Sequence, residues 1–530
     1  MYTPRWAHCD DNHAWGEAFC DGAWHYLGAC EPEPELDRGW FTGAASRALL
    51  VHSRCFGRPA ADDTVISTDG AVTFLNQTAR YAPVRTLTVL VREPDGRPSA
   101  GAEVTFGIVN ASEIFPAAVL QTDSSGAARL CCGYGDLVVQ ARKHALRSET
   151  LCLAAQQTLE LTLAEPETPS GRWEARTFRA PKEHLPARKA LDPAQKVRTT
   201  EKLAAANEKR RLRVEAAYDP ACVQKLHAQF GYGAEIEALL HAGYGNFAAL
   251  AEFLAEPAFV PEQKLALLRT LSEKDLCDVR TEVLREALMS AADGLPQDAF
   301  TMRYVLCPRI GTEPLACCRE TLLEYFSEAQ KQRFCQQPEQ IWQWIRGNIR
   351  QAPEAEYRQI VTLPVGAMRL RCADLRSQRL LFVMLCRALG MAARLNPHSG
   401  AAEYFSGGRF LSPEEGQTIS AALCLQKRPG ETWQAGADFG LSVRTSDGWM
   451  PLDLSELSWQ GNCMTVLLCP GIYRVLTDNR LPNGDLRAAR LDFQIDAGKT
   501  ACVQLQKQPV AFAELAVDFT LADFEAEAMY

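Results

Sequence analysis

The chain has 530 residues, enough for three or four domains, and its 47% hydrophobic and 23% charged content are those of an ordinary folded protein. A net charge of −9 argues against nucleic acid as a general partner, and no apolar run is long enough to cross a bilayer. The 19 cysteines are odd in number and scattered, and MYTPRWAHCDD has no secretory h-region, so reduced thiols in a cytoplasmic setting are expected, unless a leader upstream is missing.

His8 to Pro32 reads as a β-hairpin. His13, Trp15, Glu17 and Phe19 alternate with Ala14, Gly16 and Ala18, and Asp21-Gly22 is a two-residue turn signal because both tolerate positive φ. Pairing outward from that turn sets Phe19 opposite Trp24, Glu17 opposite Tyr26, Trp15 opposite Gly28 and His13 opposite Cys30. Cys30 is then either a thiolate held by imidazolium or a small buried side chain. His8, Cys9, Asp10, Asp11, His13, Cys20, His25 and Cys30 lack the paired spacing of a structural zinc site, and His13 and Cys20 fall on opposite faces, so neither metal nor cofactor is expected. The chain continues into a segment that reads as partly helical around Ala44 to His52. Trp6, Trp15, Trp24, Tyr26 and Trp40 find no partner layer in the first fifty residues, which predicts poor solubility or docking onto a neighbouring domain.

From Arg80 to Glu165 the period is two, with turn signals at Asp95-Gly96, Asp123 to Gly126 and Gly133 to Asp136, so a β-sandwich is expected. Residues 166–217 read as a Pro-rich linker turning into a polar helix, whose Lys209, Arg210, Arg211 and Arg213 are interleaved with Glu201, Glu208 and Glu215 as on a solvated face. Residues 218–350 have helical spacing throughout, with a capping start at Ser272 to Asp275 and Leu271, Leu276, Val279, Val283 and Leu284 as core. Alternating runs return in 436–515, separated by turns at Asp447-Gly448 and Pro482 to Gly484, and suggest a second sandwich.

Three stretches resemble known families. NHAWGEAFCDGAWHYLG resembles the His-strand of the transglutaminase-like fold, and YTPRW and LGACEPEPELDRGWF resemble its flanking text in multidomain bacterial proteins of that kind. The resemblance implies papain-like chemistry, with a helix-borne Cys as nucleophile, a His on the next strand as base, and an Asp or Asn to orient it. His13 matches the base; Gly28 stands at the acid position, and Glu31 is the nearest carboxylate, reaching the same face only through a bulge. The nucleophile would precede His13 by several dozen residues, so residues 1–55 look like the back half of such a domain in a fragment of a longer protein. VREPDGRPSAGAEVTF with TDSSGAARL, inside 80–165, resembles carboxypeptidase-regulatory-like, transthyretin-type modules, which imply a spacer or binding role.

LRCADLRSQRLLFVMLCRALGMAARLNP resembles the transglutaminase-like nucleophile helix, but Leu375 stands where the thiol belongs and Cys372 lies about one helical turn earlier. Downstream, Ser399 takes the His position with His398 one residue off, and Glu414 takes the acid position. Residues 351–435 are therefore expected to be a degenerate, structural copy. The expected fold is multidomain α+β. The expected function is that of a protein related to thiol acyltransferases or peptidases acting on a peptide or protein amide, silent as this fragment. The alternative is a non-catalytic scaffold recognising peptides or glycans. Oligomeric state is not legible.

Overall fold

The computed structural model describes residues 2–9, 13–28, 33, 35–61, 64–69, 72–184, 192–289, 298–351, 361–396, 400–414, 421–445, 448–452, 454 and 457–515. It is a multidomain α+β chain that divides into two compact units, residues 1–199 with 419–530, and residues 200–418. Among the described residues no helix is long and apolar enough to cross a membrane.

The first unit opens with strand β1 (Tyr2–Trp6) and the hairpin β2 (Gly16–Cys20) and β3 (Ala23–Leu27). A short helix, Thr42–Ser46, then leads into β4 (Ala48–Cys55), β5 (Val65–Asp69) and β6 (Val72–Asn76), in a sheet of order β1-β4-β6-β5. The helical expectation around Ala44 to His52 is thus corrected after Ser46. Residues 48–53 are buried on both faces, the condition that suits a central strand. The same strand answers the expectation of unpartnered aromatic rings. Trp6 and Trp15 are each 2% exposed and share a core with Phe41, Ala45, Ala48 and Val51. The missing layer is made by residues 41–51 and by Tyr81, which packs against the same core. Trp24 and Trp40 remain exposed.

Seven strands follow: β7 (Val84–Arg92), β8 (Glu103–Asn110), β9 (Glu113–Gln121), β10 (Ala127–Gly133), β11 (Leu137–Lys143), β12 (Leu146–Cys152) and β13 (Thr158–Thr162). They form two sheets, β10-β7-β13 and β12-β11-β8-β9, around Leu87, Val89, Val104, Phe106, Leu137 and Val139. Next comes β14 (Trp173–Phe178), in the stretch expected to be linker, and then the helix Pro193–Ala217. No residue of that helix is buried, and Arg211 bridges Glu208 and Glu215 along its surface.

In the second unit, helices between Pro220 and Met289 enclose a core that includes Leu271, Leu276, Val279, Val283 and Leu284. Ser272 caps its helix as expected: its hydroxyl accepts the Asp275 amide hydrogen at 3.2 Å. Helices Arg319–Leu323, Glu328–Gln336 and Glu339–Asn348 precede β15 (Arg350–Gln351). Helix Pro364–Leu370, β16 (Cys372–Ala373) and helix Leu375–Ala388 follow. The unit closes with a three-stranded antiparallel sheet of β17 (Ala393–Leu395), β18 (Ala402–Ser406) and β19 (Arg409–Leu411).

The chain then returns to the first unit. The second sandwich begins at β20 (Ala421–Gln426), inside the range expected to belong to the preceding module, and not at residue 436. It continues through β21 (Phe439–Thr445), β22 (Gly448–Pro451), β23 (Cys463–Leu468), β24 (Gly471–Arg480), β25 (Leu486–Ile495) and β26 (Thr500–Gln504). Its sheets are β14-β25-β24-β21-β22 and β23-β20-β26. Both surprises have one cause: β14 pairs with β25 and β20 with β26, partners far away in sequence that no local pattern announces. Against the expectation of reduced thiols throughout, Cys424 and Cys463 are joined in a disulfide.

Candidate functional site

The β2–β3 register is Glu17 opposite Tyr26 and Phe19 opposite Trp24, and the turn is closed by Asp21 and Gly22 at φ 52° and 80°. Those angles are the left-handed pair that a two-residue hairpin needs. Directly opposed side chains share a face, so this face runs from Trp15 in the core to the exposed rings of Phe19 and Trp24 at the tip. Glu17 sits midway and its side chain is buried. It accepts hydrogen bonds from the Tyr81 hydroxyl and from Arg80 Nη1 (2.6 Å), while Trp15 Nε1 donates to the Tyr81 oxygen at 2.8 Å. Glu17 is therefore a clamp between the hairpin and the segment after β6.

His13 lies half-buried in a nest of rings. Its centroid is 4.6 Å from Trp40, 4.8 Å from Phe41, 6.0 Å from Trp15 and 6.4 Å from Trp6. Trp6, Trp15 and Phe41 are core, whereas Trp40 is exposed, so the imidazole stands where the aromatic core reaches the surface. Cys30 and Glu31, the thiol and the carboxylate named as its partners, lie outside the described residues.

A second histidine–carboxylate pair was not foreseen. His25 is paired with Ala18, so it belongs to the other face of the hairpin, and its Nδ1 is 2.6 Å from Asp37 Oδ2. Asp37 Oδ1 also accepts the Tyr26 amide hydrogen at 2.9 Å. The hydrogen bond that His25 donates to Asp37 raises its pKa above the ordinary value. The only signal in the sequence was a His beside Trp24 and an Asp in the loop that follows, which is too weak to pair them.

The stretch expected to be a degenerate second module is described in part. Helix Leu375–Ala388 starts at Leu375, the nucleophile position, with Asp374 as its N-cap accepting the Ser377 amide hydrogen at 3.0 Å. Cys372 is not a helical turn earlier on the same helix. Arg371, at φ 52°, ends the preceding helix in a left-handed cap, and Cys372 lies on β16 opposite Arg350 of β15. The residue expected as a displaced nucleophile is a strand residue in a parallel bridge. His398 and Ser399 lie outside the described residues. Glu414, at the acid position, takes a bidentate ion pair from Arg379 (2.9 and 2.8 Å) and the Ala402 amide hydrogen at 3.0 Å. It ties the buried helix to β18 (Ala402–Ser406). Glu403, from which the module's spacing is counted, accepts from Arg394 and Asn396, each at 2.8 Å.

A cleft on the second sandwich, with a volume of about 380 Å³, is lined by Arg428, Glu431, Trp433, Gln506 and Lys507 among others. Lys507 Nζ lies 5.1 Å over the Trp433 ring and bonds Asp438, and Lys427 lies 4.9 Å over Trp459. Trp433 Nε1 donates to Glu431 at 3.0 Å and lowers that carboxyl's pKa. No sequence motif marked this site. Among the described residues no group of three or more His, Cys, Asp or Glu is placed to hold a metal ion. Neither a scan of protein-family models nor a search of curated proteins finds a match to this chain.

Proposed function

We propose that residues 1–55 form the imidazole half of a transglutaminase-like acyl-transfer site, with His13 as the base. One observation supports the reading: the half-buried ring lies just ahead of the hairpin, beside exposed Trp40 at the edge of an aromatic core, although its Nε2 atom is covered. A thiol is only a few per cent ionised at neutral pH, so an adjacent imidazole that takes its proton raises the nucleophilic fraction and later protonates the leaving amine. The described residues ahead of His13 are strand β1 and Ala7–Cys9, with no thiol-bearing helix among them. In the stretch that resembles a second copy, Leu375 stands where the resemblance calls for the nucleophile. The 530-residue chain by itself is therefore expected to be silent.

The test has two arms. Hydroxylamine-trapped turnover of a glutamine amide by the chain should not exceed buffer; thiol-dependent turnover lost in His13→Ala would overturn the silence. Diethyl pyrocarbonate should modify His13. If His13 is instead protected and His13→Phe raises the melting temperature, the ring is a core filler and the base role falls.

A second reading is favoured by the cleft at Trp433. A cation–aromatic pair, Lys507 over Trp433, in the wall of a partly polar cavity suits binding of a peptide or glycan. Lys507→Ala, which breaks the pair over Trp433 without emptying the core, should then abolish capture on a peptide or glycan array without changing the fold.

A further inference from the structure

The outer sheet of the second sandwich has the order β23-β20-β26, and each strand holds one cysteine on the solvent side. On β20 the buried Ala421, Leu423 and Leu425 alternate with half-buried Ala422, Cys424 and Gln426, so Cys424 points away from the core. The parallel register sets Cys502 directly opposite Cys424. Neighbouring strands lie about 4.8 Å apart, within the span that a disulfide bridges. On the other flank, the antiparallel register puts Cys463 one diagonal step from Cys424, at a Cα separation of 6.1 Å, and these two are bonded. Cys502 is free and exposed. Cys463 and Cys502 are two strand spacings apart, roughly 9.6 Å, too far to bridge each other. Cys424 can therefore pair with either neighbour, one at a time.

We propose that this row is a thiol–disulfide exchange site in which Cys424 alternates between Cys463 and Cys502. The Cys502 thiolate attacks Cys424 Sγ from the flank opposite Cys463, the in-line approach that displacement at sulfur needs. The Cys502–Cys424 bond forms and the Cys424–Cys463 bond breaks. The electron pair leaves on Cys463, which takes up a proton equivalent to the one Cys502 gave up, so no external oxidant is required. When all three are reduced, exposed Cys502 is the entry point for a low-molecular-weight disulfide. Its thiolate attacks oxidised glutathione and releases one reduced glutathione. The Cys424 thiolate then attacks Cys502 Sγ and expels the second. Exchange moves the cross-link from the antiparallel flank of β20 to the parallel one.

The experiment is disulfide mapping of the full chain equilibrated in glutathione buffers, quenched in acid, alkylated and digested at low pH. Wild type should yield both Cys424–Cys463 and Cys424–Cys502 peptides, Cys463→Ser only the second, and Cys502→Ser only the first. Cys424→Ser should yield no Cys463–Cys502 link. Finding that link, or finding Cys424–Cys502 in neither wild type nor Cys463→Ser, overturns the proposal. If Cys463→Ser fails to fold, the wild-type map decides by itself.

Discussion

His52 shows what a single buried side chain does to the pH dependence of this protein. It lies on β4, 4% exposed, with Arg5 and Arg54 beside it, and desolvation together with those two cations lowers its pKa to about 3. The native state keeps the ring neutral while the unfolded chain protonates near 6.5. Stability is thus full above that pH and is lost as the pH falls toward 3, by on the order of 3 kcal/mol at pH 4. His52→Phe, beside Phe74 at a ring distance of 5.9 Å, should flatten the melting temperature between pH 6.5 and 4; an unchanged slope would clear this residue. His25 has the opposite sign. Its pKa is raised by Asp37, so its contribution is complete below the ordinary histidine range and is lost as the pH rises through the elevated value. Asp37→Asn should bring its NMR titration midpoint back to that of a free histidine.

At the scale of elements, the clearest feature is the use of carboxylates as clamps. The Arg379–Glu414 pair is nearly buried on both sides. Removing one partner strands the other charge, so Glu414→Gln should destabilise the second unit by about 3 kcal/mol in urea melts while leaving any amide hydrolysis unaffected. Tyr81→Phe should cost roughly 1–2 kcal/mol, because Glu17 and Trp15 each lose a partner. The β2–β3 hairpin was legible because its signal is local: the alternation, the Asp21-Gly22 turn and the register follow from adjacent residues. The Ser272 cap was legible for the same reason. What escaped was non-local. Nothing near Trp15 announces Tyr81, and nothing near Trp173 announces Leu491. Cys372 was misplaced because the helix was carried back through Asp374, although an Asp followed three residues later by Ser377 is a reasonable N-cap signal.

Across the first unit, separate β modules are joined by backbone contact and by charge. Gly133 of β10 faces the Ala48 carbonyl of β4, and Gly440 of β21 faces the Ser112 carbonyl in the β8–β9 turn; a Cβ at either would collide with that backbone. Between the two sandwiches, Glu149 of β12 accepts from Arg474 of β24 (3.0 Å) and from Arg490 of β25, and Arg474 also grips Asp492. Burial opposes the charge on Glu149, but Arg474 and Arg490 outweigh it and bring its pKa down to about 2. Glu149→Ala should split the calorimetric unfolding of the two sandwiches into separate transitions. A single unchanged endotherm would mean that the sandwiches are held together by other contacts.

β14 is an edge strand whose only neighbour among the described residues is β25, more than three hundred residues further along. During synthesis its backbone donors and acceptors emerge from the ribosome long before that neighbour exists, so for many seconds they are open to any other extended chain. The order of translation thereby becomes a hazard for this topology: nascent chains halted inside the helical insert should be the species that chaperones hold and proteases find.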